Sequence, residues 1–221
     1  MKKTLLIGLA LSYGMVAYSQ GWINFSTSAQ NNPSPPGNVY APVYLHDPGD
    51  PLTRISGNTS AGSPSGSTVY NGAAVLGTHF VGELWGGPAG STEAQLVHVA
   101  STPMWGSPAP AFLVGCVTPA GTPGVPGVPA GSTATFQLRV FDSTGLPTAD
   151  WATVNLPQYD QTNLRGYSDL FTVPYGLGSA TITPPNLAGL ESFTVNLVPE
   201  PSAIALGVLG LGALVLFRRR K

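Results

Sequence analysis

The sequence predicts an all-β domain between residues 20 and 197, built as an antiparallel β-sandwich or jelly roll. Glycine and proline account for 28 and 22 of the 221 residues, so few windows are long enough for an α-helix. About eight short β-prone runs are separated by turn-forming residues, and none has the 3.6-residue periodicity of an amphipathic helix.

Four strands are predicted in the first half of this region. The runs at 22–25 and 39–45 are rich in aromatic and β-branched residues, although Pro42 restricts the second to an edge or bulged strand because it has no N–H. The runs at 78–85 and 94–100 flank a segment containing glycine and proline, which suits a hairpin connection.

The middle of the region alternates between loops and one apolar run. Residues 57–67 are rich in glycine and serine and are expected to form a mobile loop. Residues 111–117 are continuously apolar and predict a strand buried on both faces, with Cys116 as a buried core thiol. Residues 118–131 repeat proline, glycine and valine and are expected to form a long surface loop.

Two strands are predicted most clearly in the second half. Residues 133–141 and 191–198 alternate apolar and polar side chains, which is the period-two pattern of a strand. Residues 167–173 and 179–183 are weaker candidates.

The charge of this region excludes one class of partner. Between residues 20 and 197 three arginines face nine acidic residues, a net charge of about −6, and lysine is absent. An acidic surface repels phosphate backbones, so nucleic-acid binding is not expected. A single cysteine also excludes an intramolecular disulfide.

The N-terminus has the three parts of a secretory signal peptide. Lys2 and Lys3 are followed by the largely apolar residues 5–17 and by Ala17-Tyr18-Ser19, a small-x-small cleavage pattern. We therefore expect residues 1–19 to be a signal peptide that directs the chain out of the cytoplasm.

The C-terminus consists of three consecutive segments of different character. They are a rigid motif, Pro199, Glu200 and Pro201, an apolar run from Ala203 to Phe217 that predicts a transmembrane helix, and a basic tail, Arg218, Arg219, Arg220 and Lys221. Together, residues 198–221 resemble the PEP-CTERM sorting signal of Gram-negative bacteria that make exopolysaccharide. The resemblance implies export, recognition by a membrane-bound exosortase near the Pro-Glu-Pro motif, and removal of the tail.

An ordinary C-terminal membrane anchor is the alternative to a sorting signal. A hydrocarbon core of about 30 Å normally needs about 20 helical residues. The span from Ser202 to Phe217 would cover only about 24 Å at about 1.5 Å per residue. A short span that contains glycine suits a temporary stop better than a permanent anchor.

No catalytic or metal-binding motif is predicted. The three histidines are isolated in sequence, and the pattern closest to a nucleophile elbow has proline where the serine belongs. Glu83 beside Trp85 is a pairing that a sugar-processing site would use, but a strand carboxylate next to a tryptophan is the simpler interpretation. We expect no enzyme, no cofactor and no metal, with calcium at the turn aspartates as an open alternative.

Three tryptophans are candidates for stacking on sugar rings. Trp85, Trp105 and Trp151 lie in or next to segments rich in glycine and proline, where they could be exposed, although tryptophans of small β domains are commonly core residues.

Taken together, the sequence predicts a non-enzymatic exported protein. It would pass through the inner membrane to the cell surface or extracellular matrix and act there in a structural or adhesive role, with exopolysaccharide as a possible partner. A secreted carbohydrate-binding module or glycan-active enzyme is the alternative.

Overall fold

The computed structural model describes residues 20–29 and 36–198, and this part of the chain is mostly β-structure. Its strands are linked by loops, short 3-10 turns and one four-residue helix, α1 (Trp151–Val154). The strands are β1 (Gln20–Trp22), β2 (Ser28–Ala29), β3 (Val39–Tyr40), β4 (Tyr44–Leu45), β5 (Phe80–Pro88), β6 (Val97–Pro103), β7 (Gly124–Pro129), β8 (Ala134–Asp142), β9 (Arg165–Tyr167), β10 (Phe171–Thr172) and β11 (Thr194–Val195).

The largest described sheet has five strands, all antiparallel. Its order is β10–β8–β5–β6, and β9 pairs with another stretch of β8. β5 and β8 are paired along their whole length, from Phe80 opposite Asp142 to Pro88 opposite Ala134. This long pair is the frame to which the shorter strands attach.

One face of the five-stranded sheet packs on the main hydrophobic core. Phe136, Leu138 and Val140 of β8 alternate along the strand and are fully buried on this face. Gly86 on β5 leaves room for an aromatic ring, because a Cβ there would lie 2.8 Å from the ring of Phe136. Side chains from outside the sheet complete the core, among them Ile23, Phe25, Leu187, Leu190 and Phe193.

The opposite face of the sheet is covered as well. Phe141 packs there against Trp151 and Val154 of α1, in a second and smaller apolar cluster. Asp150 begins α1, because its side chain accepts a hydrogen bond from the backbone N–H of Thr153 at 2.7 Å. Consequently β8 is buried along eight of its nine residues, on both faces.

The remaining strands form two-residue or three-residue pairs around the sheet. β1 pairs with β7 and β2 pairs with β3, both antiparallel. β4 and β11 pair in parallel, with Thr194 opposite Tyr44. The closing strand therefore departs from the antiparallel arrangement that the sequence predicts.

The prediction of a buried strand at 111–117 is wrong. Residues 111–113 form a 3-10 turn, and Phe112 is 58% exposed. Gly115 adopts a φ of 81°, a left-handed conformation that turns the chain and breaks any extended run. Cys116 and Val117 nevertheless enter the core, as expected for the thiol.

The surface loop expected at 118–131 contains strand β7. Prolines lack the N–H needed inside a sheet, but a strand paired on one side tolerates them. Valines at 125 and 128 are buried, and the carbonyl oxygen of Pro123 accepts a hydrogen bond from Ile23. The buried valines and the backbone hydrogen bonds therefore favour a strand here, although the composition predicts a loop.

One weaker strand prediction also fails, and the loop expected at 57–67 is present. Residues 179–183 form an exposed turn rather than a strand, with Ile182 half exposed. The loop at 57–67 is held to the domain through Asn58, whose side chain donates to the carbonyl oxygen of Pro64 at 2.7 Å and accepts from the N–H of Ser192 at 2.9 Å.

Candidate functional site at the chain exit and on the domain surface

The last described residues are bonded to the domain up to the position before the predicted sorting motif. Asn196 and Arg165 exchange two backbone hydrogen bonds, of 3.0 and 2.9 Å. The N–H of Val198 donates to the carbonyl oxygen of Asp160 at 3.1 Å, and its own carbonyl oxygen accepts from Nε2 of Gln161 at 2.6 Å. The described chain is therefore bonded to the domain up to the residue directly before the motif.

Buried polar side chains hold residues 196–198, which we call the exit, against the domain. Nδ2 of Asn196 donates to the carbonyl oxygen of Thr53 at 2.6 Å, while Oδ1 accepts from the hydroxyl of Thr194 at 2.5 Å. The guanidinium of Arg165 forms an ion pair of 2.5 Å with Asp160, and both side chains are largely buried. Buried charges that are paired resist separation, so the exit is a rigid part of the fold.

The predicted sorting residues themselves lie outside the described part of the chain. This applies to Pro199, Glu200 and Pro201, to the run from Ala203 to Phe217, and to the basic tail at 218–221, as well as to the signal peptide at 1–19. Within residues 20–29 and 36–198, no helix is long and apolar enough to cross a membrane.

A buried polar cluster occupies the second face of the five-stranded sheet. Glu83 of β5 and Arg139 of β8 are directly opposite each other and are 2% and 7% exposed. Oε2 of Glu83 accepts from Nε1 of Trp85 at 2.9 Å, and Oε1 accepts from the backbone N–H of Trp151 at 3.0 Å. Both carboxylate oxygens are thus used within the fold.

Arg139 lies between aromatic rings in the same cluster. Its guanidinium carbon is 4.2 Å from the ring centroid of Trp85 and 5.4 Å from that of Trp151. Nε donates to the side-chain oxygen of Gln137 at 2.8 Å, and Nη2 reaches Glu93 at 3.5 Å. Burial lowers the pKa of Arg139 from its ordinary value, although Glu93 and Glu83 act in the opposite direction.

The three tryptophans proposed for sugar stacking are placed in different surroundings. Trp151 is 9% exposed, between Phe141 and Arg139. Trp85 is half-buried, with Arg139 over its ring. Trp105 lies two residues after the C-terminal end of β6, and its Nε1 has no hydrogen-bond partner among the described residues. Trp85 and Trp151 thus flank one buried cation, and Trp105 is separate from them.

The turn aspartates serve as local hydrogen-bond acceptors. Asp47 accepts from the N–H of Gly49 at 2.8 Å, and Asp142 accepts from that of Thr144 at 2.9 Å. Asp50 accepts from the backbone N–H groups of residues 52 and 53. In the described part of the chain, no group of three His, Cys, Asp or Glu side chains could hold a metal ion.

An open hollow of about 310 Å³ lies beside the closing strand. Tyr44 of β4 and Tyr70 stack at its side, with ring centroids 4.1 Å apart and planes 11° from parallel. The other lining residues are Thr59, Ser60, Ser67, Thr68 and Val69. We call this the tyrosine groove. Sequence reasoning missed it, because Tyr70 reaches Tyr44 only when residues 73–75 bond to the backbone of β4 and the residue before it.

The comparison with known families identifies the C-terminal segment. The family model of the PEP-CTERM protein-sorting motif matches residues 197–221. No curated protein and no solved structure matches the chain. The match confirms the resemblance noted for residues 198–221: the chain carries a PEP-CTERM protein-sorting motif at its C-terminus, the kind of motif that exosortases recognise on secreted, membrane-processed proteins.

Proposed function

We propose that this protein is a non-enzymatic substrate of an exosortase, sorted to the cell envelope or exopolysaccharide matrix, where it has a structural or adhesive role. The PEP-CTERM motif at 197–221 is the observation that carries the proposal. In this account residues 1–19 start export, residues 20–197 form the mature domain, and residues 198–221 are the sorting signal. We further propose that the mature domain is a β-sandwich, because its five-stranded sheet and the surrounding short strand pairs enclose the main core.

The rigid exit gives the sorting step a specific geometry. Val198 is bonded to Asp160 and Gln161, and Pro199 follows it directly in the sequence. The processing enzyme would therefore meet the motif beside the folded surface around residues 157–165. Either that surface fits the enzyme, or Val198 must first detach from it.

A role without catalysis fits the placement of the carboxylates. Glu83, which the sequence places beside a tryptophan, has both oxygens engaged by N–H groups of the fold. Asp160 is held by Arg165, and Asp169 accepts from Arg54 and Ser56. Carboxylates already bound in this way are poorly placed to act as acid and nucleophile.

Replacing the motif tests the proposal. We expect the chain with Pro199, Glu200 and Pro201 all changed to alanine to remain uncut in the inner membrane, while the unchanged chain is processed and leaves it. A matched control replaces the exposed Pro174 and Glu191 with alanine and should be processed normally. Normal processing and release of the motif variant would overturn the proposal.

A further inference from the structure

We propose that the tyrosine groove is a binding site for a neutral glycan, taking one or two uncharged sugar units of a polysaccharide. This inference rests on the proposed adhesive role, to which it adds a site and a ligand class. It differs from the tryptophan hypothesis, because Tyr44 and Tyr70 lie beside the closing strand and away from the cluster around Arg139.

The size and lining of the groove suit a sugar. Its volume of about 310 Å³ is at the lower end of the range for small-molecule sites, about 300–1,000 Å³. The aromatic rings of Tyr44 and Tyr70 form one side, and the exposed side chain of Val69 adds an apolar surface. The C–H faces of a sugar ring are attracted to such surfaces, since the face of an aromatic ring carries negative charge density.

Hydroxyl groups supply the polar part of the lining. Thr59, Ser60, Ser67 and Thr68 all border the groove, and each hydroxyl can donate one hydrogen bond and accept two. This matches the alternating donors and acceptors of a sugar. No charged side chain is among the lining residues that the structure describes. A neutral glycan is therefore favoured over a phosphate or a uronic-acid polymer, either of which would call for a cation.

The groove is held in shape before any ligand binds. The hydroxyl of Tyr70 donates to the carbonyl oxygen of Gly57 at 2.6 Å. It also lies 2.8 Å from the carbonyl oxygen of Ser192. Gly66 packs on the backbone of Asn58, where a Cβ would lie 2.1 Å from the carbonyl oxygen. Pre-formed walls reduce the entropy lost on binding.

Electrophoresis of the full chain in native gels that contain a polysaccharide tests the site. The probes are neutral dextran, galactomannan and xyloglucan, with anionic alginate for comparison. We expect at least one neutral polymer to retard the protein and alginate to have no effect. Tyr44→Ala removes one of the two rings and should weaken the retardation about tenfold, which corresponds to about 1.4 kcal/mol. Tyr175→Ala, which removes a partly exposed tyrosine outside the groove, is the matched control.

A second variant covers the possibility that Tyr44→Ala fails to fold. Val69 is 74% exposed, so Val69→Asp places a carboxylate in the groove with little effect on folding. We expect it to weaken neutral-glycan binding on the order of tenfold, because a carboxylate beside the sugar must lose water. Ile182→Asp, at an exposed turn residue, should bind normally.

The gel result and the removal of the tail test the groove and the sorting proposal independently. Binding lost in Val69→Asp and kept in Ile182→Asp, with processing normal in both, supports the groove. No retardation by any of the three neutral polymers overturns it, as does equal retardation of the variant and the unchanged chain. Either result leaves sorting intact if the tail is still removed. Failure of tail removal overturns the sorting proposal and does not affect the gel result.

Discussion

Replacement of Glu83 tests whether this carboxylate is part of the fold or part of a reaction. Glu83→Ala leaves two donors without an acceptor, the buried backbone N–H of Trp151 and Nε1 of Trp85. An unsatisfied buried donor costs about 1–3 kcal/mol. The variant also removes a negative charge that lies opposite the buried guanidinium of Arg139 and attracts it without a direct ion pair.

The two lost acceptors act on neighbouring groups, so we expect Glu83→Ala to lower the free energy of unfolding by about 2–5 kcal/mol. Glu83→Gln keeps one acceptor and should cost about 1–3 kcal/mol. The matched control is Glu93→Gln, because Glu93 is 51% exposed and meets Arg139 only at 3.5 Å. That change should cost less than about 1 kcal/mol.

Urea denaturation followed by tryptophan fluorescence measures these differences, since two of the tryptophans contact the cluster. A change within about 1 kcal/mol for Glu83→Ala would refute the structural role. Stabilisation would be stronger evidence against it. Functional residues are often retained at a cost to stability, and their removal then stabilises the fold.

Three further predictions concern other parts of the molecule. Burial raises the pKa of Cys116 to about 11, so the thiol should resist iodoacetamide at pH 8 in the folded protein and react once urea unfolds it; equal rates would contradict its burial. Although partial burial acts to raise it, hydrogen bonds from Arg54 and Ser56 hold the pKa of Asp169 below its ordinary value. Because the pKa is lower in the folded state, this carboxylate stabilises the fold at neutral pH, and that contribution is lost as the pH falls through the folded pKa. Ser56→Ala should raise the pKa in an NMR titration of the carboxyl carbon, and an unchanged value would count against the contact. A flexible Gly-Ser insert directly after Val198 should speed tail removal if the rigid exit hinders the enzyme, whereas slower removal would indicate that the adjoining surface guides it.

The strands that could be predicted are those whose own residues show an alternating or hairpin pattern. Residues 133–141 alternate, and β8 is found at Ala134–Asp142. Residues 191–198 alternate as well, and they contain β11. The hairpin between the predicted strands at 78–85 and 94–100 is confirmed as β5 and β6. The run at 39–45, predicted as one edge or bulged strand because of Pro42, is instead two short strands, β3 and β4, on either side of that proline and in different sheets.

The parts that could not be predicted depend on partners distant in sequence. β7 is a strand because β1 pairs with it, and nothing in its Pro-Gly-Val composition shows that partner. The failure at 111–117 has the same origin, since Gly115 turns the chain so that its N–H reaches Val75. The burial of Glu83 and Arg139 required α1 to cover the second face of the sheet.

The two candidate sites differ in the same respect, because one is local in sequence and the other is built from distant residues. The sorting motif is local in sequence, and its three segments identify it without any structure. The tyrosine groove needs two residues, Tyr44 and Tyr70, that are joined across a loop with no periodic pattern. Composition indicated only that this loop would lie at the surface.

The intact mass of the protein recovered from cells, measured in each cell fraction, tests the central claim most directly. We predict a chain that begins near Gln20, ends near Pro199 to Pro201, and is found outside the inner membrane. A chain that still ends at Lys221 and stays in the inner membrane would contradict it, because the C-terminal segment would then act as an anchor.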